Sequence, residues 1–355
     1  MSQDGLALSD EQRELGATLR RFLADTGAAR SFADTEDGFD RAVWARMARE
    51  LGIQALTIPE KFDGLGQTSL ELAVVHEELG RALHPAPLLA TQAATDAIVL
   101  SGDDAACADL LPAIGSGDTI ATVAVDGVTA ERSAGGWALS GSRSFVVSGH
   151  IADLVLVFAG DSLFAVDGTP TGLSRTPQES LDLTRRVARL DFDRVAARLV
   201  GVQGAAGPVL AGTVDRMLAA LAAEQTGGAA ACLESAVAYA GTRTQFGRAI
   251  GSFQAIAHKC VDMLQGVEFA RASARYAAAA LTGNWPDAPV AVRVAAAYCG
   301  QAFRAAATES IQVHGGTGFT WEHDAHLYYR RAWSAQHLFG SPQDHWSAIA
   351  DHIGL

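Results

Sequence analysis

Three long alanine-rich stretches, Gly207–Tyr239, Phe253–Leu281 and Pro289–Gln312, constrain this chain more than any other feature. As one helix, the first alone would span on the order of 50 Å at 1.5 Å per residue. Small residues at contact positions let helices approach closely, so the three predict an antiparallel bundle, with a shorter helical pair after Gly318. Residues 9–115 also read as helical. Ser9 ahead of Asp10-Glu11-Gln12 is an N-cap with an acidic first turn, and Leu15, Leu19 and Phe22 follow at helical spacing. A segment from Ala42 to Leu51 closes at Gly52, and another runs from Ser69 to Leu83, before His84-Pro85-Ala86-Pro87.

Between these helical regions the texture changes. Thr119–Val125, Trp137–Gly141, Ser144–Val147, Leu154–Ala159, Leu163–Val166 and the 187–200 segment are short strand-like runs separated by Gly, Ser and Asp turns. The predicted class is α+β, mainly α: an N-terminal helical domain (1–117), a middle antiparallel β-domain (118–203) and a C-terminal antiparallel helical bundle (204–355) with an oligomer interface. No repeat or low-complexity tract interrupts this order.

Composition excludes several classes. Of 355 residues 49% are hydrophobic and 19% charged, which rules out disorder as the main state. Lys+Arg 27 against Asp+Glu 40 gives a formal charge of −13, against a nucleic-acid or anionic-membrane binder. Cys107, Cys232, Cys260 and Cys299 are scattered without metal-ligand spacing and read as buried thiols in a reducing compartment. The opening MSQDGLALSDEQ lacks a leader's basic and apolar regions, and no apolar run reaches the ~18–20 residues of a membrane span. A cytoplasmic protein is expected.

Two stretches carry candidate chemistry. Arg243-Thr-Gln245-Phe246-Gly247-Arg248-Ala-Ile-Gly251-Ser252-Phe253-Gln254 joins two long helices and offers two guanidinium groups to a phosphate. It reads equally as a bundle loop whose arginines pair with surface carboxylates. Gln312-Val313-His314-Gly315-Gly316-Thr317-Gly318-Phe319 lets a ligand approach the backbone, although glycines also simply end helices. His323, His326, His337 and His345 form no ligand pair at i, i+4, so no metal is expected. Trp321, Tyr328, Tyr329 and Trp333 read as core or interface packing.

In this order and after this domain pattern, RTQFGRAIGSFQ and QVHGGTGF, with the Trp137–Ala159 run, resemble the acyl-CoA dehydrogenase family over nearly the whole chain. The resemblance implies FAD-dependent α,β-desaturation of an acyl-CoA thioester, in which a carboxylate removes the α-proton and the flavin accepts the β-hydride. It further implies that the ADP half of the FAD is held by the neighbouring chain, here through Arg243, Gln245, Phe246, Gln254, Gln312, Gly315 and Gly316. Electron-transfer flavoprotein is the implied redox partner.

Three departures qualify this. The flavin-side Thr-Glu-Pro-Gly-Ala-Gly-Ser type of motif is replaced by Ala124-Val125-Asp126-Gly127, and Trp-Ile-Thr-Asn by Phe145-Val146-Val147-Ser148. The two positions where the family carries its base fall on Phe339 and Met217, neither of which accepts a proton. Glu224, two turns beyond Met217, is the remaining candidate for a displaced base, with pairing to an arginine as the other reading; Asp215 and Glu234 read as solvated helix carboxylates. The leading expectation is a companion subunit that keeps the ADP clamp, lacks a base, and works with a homologous full-length chain in a heterotetramer, with steroid side-chain CoA as the substrate class. The alternatives are a homotetrameric dehydrogenase using Glu224 or a flavin-dependent monooxygenase on the same fold.

Overall fold

The fold, seen in a computed structural model, is described for residues 7–27, 30–33, 35–133 and 136–355; the first six residues of the opening segment lie outside the described residues. Six helices come first: α1 (Asp10–Ala24), α2 (Arg30–Ala33), α3 (Arg41–Arg46), α4 (Ser69–Arg81), α5 (Leu88–Leu100) and α6 (Asp104–Gly115). Ser9 caps α1, its hydroxyl accepting from the Gln12 amide while the Gln12 side chain accepts from the Ser9 amide. Thr68 and Glu71 build the same reciprocal box at α4. The helix predicted from Ala42 begins as α3 and continues over Met47–Leu51 in the wider π winding. It closes at Gly52, whose φ of 65° is the left-handed cap that glycine favours.

Seven strands follow: β1 (Ala121–Val125), β2 (Val128–Ser133), β3 (Gly136–Val147), β4 (Leu154–Ala159), β5 (Ser162–Asp167), β6 (Leu173–Gln178) and β7 (Val187–Val200). Their order is β1-β4-β5-β7-β3-β2, with β6 beside β7. One pair departs from the predicted antiparallel pattern: β1 and β4 run parallel, from Ala121 opposite Leu154 to Val125 opposite Phe158. The β2–β3 hairpin lies between them in sequence and supplies the crossover that a parallel pair requires. All six residues of β4 are buried because both its faces are covered. Leu154, Leu156 and Phe158 join a core with α5 and α6, while Val155, Val157 and Ala159 face Leu139, Leu190 and Phe192 of the other strands.

The bundle comprises α7 (Gly207–Thr242), α8 (Gln254–Thr282), α9 (Ala288–His314), α10 (Gly316–Phe319), α11 (Ala325–Ala335) and α12 (Pro342–Ile353), with a small hairpin, β8 (Thr244–Gln245) and β9 (Arg248–Ala249), between α7 and α8. The 36 residues of α7 extend about 54 Å. Its middle is buried on every side from Met217 to Ala230, packed among α4, α5, α8 and α9. Two glycines make the α4–α7 crossing reciprocal: a Cβ on Gly80 would lie 1.9 Å from the Glu224 carbonyl oxygen, and one on Gly227 1.8 Å from that of Glu77. Of the cysteines, all free, Cys107, Cys232 and Cys299 are buried and Cys260 is half-buried, short of the burial predicted for it. Among the described residues no helix is long and apolar enough to cross a membrane.

Candidate functional site

The two positions expected from the resemblance to carry a base meet in one place. Met217 on α7 and Phe339, in the turn between α11 and α12, both line a cleft of about 620 Å³. Leu89, Ala90 and Ala93 of α5, Val123 and Val125 of β1, and Val146 and Val187 complete its apolar wall. Phe339 is half-buried and packs against Leu89, Ala90, Leu221, Val147 and Val187. Among the described residues no aspartate or glutamate lines the cleft; its charged group is Arg143, which forms no ion pair there. Sequence reasoning missed Arg143, because a lone arginine in a polar strand segment carries no spacing signal.

The edge of the cleft is shaped by two strained turns. β3 bulges between Arg143 and Val146, and Phe145 takes a φ of 58° there, so that its ring stands 64% exposed while Val146 and Val147 are both buried. The β1–β2 connection is only Asp126-Gly127, both at positive φ, with the Gly127 carbonyl accepting from the Ser142 amide at 2.9 Å. A Cβ at Gly127 would lie 2.3 Å from the Ser142 carbonyl oxygen, so this turn is pressed onto β3 and leaves no loop to reach outward.

Of its two readings, displaced base or arginine-paired carboxylate, Glu224 takes the second. It is 6% exposed and does not line the cleft. Its carboxylate accepts from Arg185 Nη2 at 2.6 Å and from Arg331 Nη1 at 2.7 Å. Burial alone would raise its pKa, but the two guanidinium groups outweigh that and hold it at about 2. Arg331 in turn binds Asp182 and donates to the Thr184 hydroxyl at 2.6 Å, closing a buried network of two cations and two anions. Beside it His76, fully buried, is pushed down to about 4 by burial and is neutral. No sequence spacing links residues 182, 224 and 331, so the network was not legible beforehand. Asp215 is half-buried rather than solvated, burial raising its pKa, whereas Glu234 is exposed and pairs with Arg81.

The two motif stretches lie elsewhere, and none of their residues lines the cleft. After α7 the chain turns through Phe246 and Gly247, both at positive φ, in the β8–β9 hairpin. Phe246 is 92% exposed, and Arg243, Gln245 and Gln254 are exposed with it. Arg248 lies 4.0 Å over the Phe253 ring. Neither Arg243 nor Arg248 pairs with a carboxylate among the described residues. Gln312, Gly315 and Gly316 at the end of α9 are likewise exposed. The two stretches share one apolar cluster, in which Tyr239, Ala240 and Ile250 pack with Val313.

The remaining candidates have structural partners. His326 stacks on Trp321 at 4.7 Å, His345 is buried beside Arg293, and the Tyr328 hydroxyl donates to the Arg81 carbonyl at 2.7 Å. His337 is exposed at the cleft rim. Among the described residues no three His, Cys, Asp or Glu side chains group as a metal site.

Comparison with known proteins agrees with this architecture. The family described as Acyl-CoA dehydrogenase, N-terminal domain, matches residues 9–118, and that described as Acyl-CoA dehydrogenase, C-terminal domain, matches residues 206–354. The chain is 35% identical to acyl-CoA dehydrogenase IpdE2 of Mycobacterium tuberculosis over 332 residues, 94% of this chain and 93% of that protein. Among solved structures, the Tcur3481–Tcur3483 steroid ACAD superposes with a TM-score of 0.89 at 30% identity, over 97% of this chain and 98% of that one. The ChsE4–ChsE5 complex from Mycobacterium tuberculosis does so at 0.90 and 27% identity, over 98% of each chain. With both ends of the chain matched and the fold shared throughout, this protein belongs to the acyl-CoA dehydrogenase family, oxidoreductases acting on CH–CH bonds.

Proposed function

We propose that the chain is a companion subunit of an FAD-dependent acyl-CoA dehydrogenase, lending an ADP clamp to a neighbouring catalytic chain and contributing no base of its own. The observation that carries this reading is the cleft in which Met217 and Phe339 stand together without a carboxylate. Removal of an α-proton needs a group of suitable pKa within hydrogen-bonding reach, and the candidate glutamate, Glu224, is held between two arginines.

The residues fit one half of the cofactor and not the other. On the clamp side, Arg243 and Arg248 pair with no carboxylate among the described residues, Phe246 presents an open ring, and a Cβ on Gly315 or Gly316 would meet nothing within 4 Å. That is a free cradle for a pyrophosphate and an adenine. Arg243 neutralises phosphate charge, Gln245, Gln254 and Gln312 offer amide hydrogen bonds, Phe246 offers its face, and Gly315-Gly316 admits the ligand to the backbone. On the flavin side the two-residue Asp126-Gly127 turn and the apolar Val147 supply no comparable donors. FAD, when bound, supplies the acceptor for the β-hydride.

The partner in this reading is a homologous full-length chain in a heterotetramer, and two solved relatives named as two-chain assemblies support it. The word steroid in one of those names supports a bulky acyl-CoA, of the steroid side-chain class, as substrate. Electron-transfer flavoprotein reoxidises the flavin, in a cytoplasmic setting. The deciding measurement is FAD content per chain in particles of native mass. We expect little FAD in the chain purified alone and one FAD per two chains with its partner. One FAD per chain in a homotetramer would overturn the companion role.

A further inference from the structure

We infer that His314 is the positioning residue that holds the two halves of the clamp in one frame; the inference rests on the clamp reading above. The clamp has a discontinuity to solve. Arg243, Gln245, Phe246 and Gln254 follow the end of α7, whereas Gln312, Gly315 and Gly316 sit at the end of α9. A ligand gripped by both needs their spacing fixed, because side chains left to move dilute the grip with conformational entropy.

His314 sits at that junction and is 4% exposed. Its Nδ1 lies 2.7 Å from the Ser310 carbonyl oxygen, an acceptor, so Nδ1 carries a proton and donates within α9. Its Nε2 lies 3.3 Å from the Ser235 hydroxyl on α7. The ring packs on Tyr239 with centroids 4.6 Å apart, and the Tyr239 carbonyl accepts from the Arg243 amide at 2.8 Å. One side chain therefore reaches from the last turn of α9 to the backbone that launches the arginine loop. On its other side the glycine turn closes over it: the Gly318 amide donates to the Gly315 carbonyl, and a Cβ on Gly318 would lie 3.1 Å from His314 Cβ. The His323 ring adds a contact at 4.4 Å. A phenylalanine here keeps the ring contact and loses both hydrogen bonds; a glutamine keeps hydrogen bonding and loses the ring.

The test compares FAD affinity with stability and with local opening, in the oligomer that carries FAD. Arg243→Ala is expected to weaken FAD binding about tenfold or more, His314→Phe about tenfold, and His314→Gln by less. Val75→Ala, a cavity in the distant α1–α4 core, lowers the unfolding midpoint while leaving FAD affinity at the wild-type value. In His314→Phe without FAD, amide hydrogen exchange is expected to quicken in residues 240–254 and 312–318 together. Wild-type FAD affinity in His314→Phe alongside a loss in Arg243→Ala overturns the role of His314 and leaves the clamp standing. Exchange that quickens only in 312–318 also overturns it, since the ring would then link nothing. Retention of FAD by Arg243→Ala overturns the clamp reading itself, and with it this inference.

Discussion

The cleft and the clamp start from the same inherited fold and have gone opposite ways. In the cleft, Met217 and Phe339 turn inward, and Phe339 packs onto α5, α7 and the strand edge. In the clamp, Phe246 stands 92% exposed, and Arg243 and Arg248 have no carboxylate partner among the described residues. An apolar replacement finds contacts within its own chain, since burying it is favourable wherever neighbours exist. The exposed guanidinium groups and ring on the hairpin find little within the chain beyond the stacking of Arg248 on Phe253, and in the proposed reading they meet a ligand outside it. In the proposed reading the difference separates self-satisfied residues from residues that serve a partner, and it is open to test.

The largest effect is expected where self-satisfaction is most complete. Arg331, 2% exposed, binds Asp182, Glu224 and Thr184. Arg331→Met leaves two buried carboxylates short of a cation and is expected to cost about 3–5 kcal/mol by urea unfolding. The same network gives a pH signature. Glu224 is held at about 2, below its ordinary 4.5, so its stabilising contribution is full above pH 4.5 and fades as pH falls toward 2. A Glu224→Gln chain should lose that slope. Next in size is Gly227→Ala, whose Cβ meets the Glu77 carbonyl; overpacking of this kind costs about 1–3 kcal/mol, read as a lowered midpoint.

Asp96 gives a smaller effect of opposite sign. It is 7% exposed, its nearest cation Arg216 is 3.7 Å away, and Gln92 donates at a long 3.4 Å. Burial raises it from 3.8 to about 7 because these partners do not compensate. The folded chain keeps this proton between pH 3.8 and 7 where the unfolded chain has released it, so stability falls as pH rises through that window. Asp96→Asn should flatten that fall and raise the midpoint at pH 8 relative to wild type, by about 1 kcal/mol in stability. Opposite slopes for two equally buried carboxylates would follow from their partners: close guanidinium groups outweigh burial at Glu224, whereas distant ones leave burial to prevail at Asp96. At the clamp, by contrast, Arg243→Ala should change stability by less than about 0.5 kcal/mol while weakening FAD binding.

What the sequence made legible was local. The Ser9 cap, the Gly52 terminator, the helical spacing of α1 and the strand texture around Val155 depend on near neighbours, and each is visible in a short window. The two motif stretches were legible for the same reason. For Glu224 the pairing to arginine was legible as one of two readings, but its partners were not, because they are Arg185, 39 residues before it, and Arg331, 107 residues after it. The parallel β1–β4 pair escaped for a related reason: strand direction is set by where β2 and β3 return the chain. Arg143 and Asp96 matter only through the cavities around them, which no single segment defines.

The sharpest test of the comparison is a variant expected to gain no activity at all. Phe339→Glu places a carboxylate at the position that the resemblance assigns to the family's base, in a cleft of about 620 Å³. Were the missing base the only defect, this one change would give desaturation by the chain alone. Three further features oppose it. The Asp126-Gly127 turn is short and pressed onto β3, Val147 has no hydroxyl to offer, and Met217 stays in the same cleft as the new carboxylate. A glutamate there also sits against Leu89, Ala90 and Leu221, an apolar wall that raises its pKa and favours its neutral form. We therefore expect no acyl-CoA-dependent reduction of an artificial electron acceptor by Phe339→Glu purified alone, and about 1–3 kcal/mol lost from stability. Turnover in that variant would mean that the cleft lost one residue rather than its role, and that cleft and clamp remain two halves of one working site.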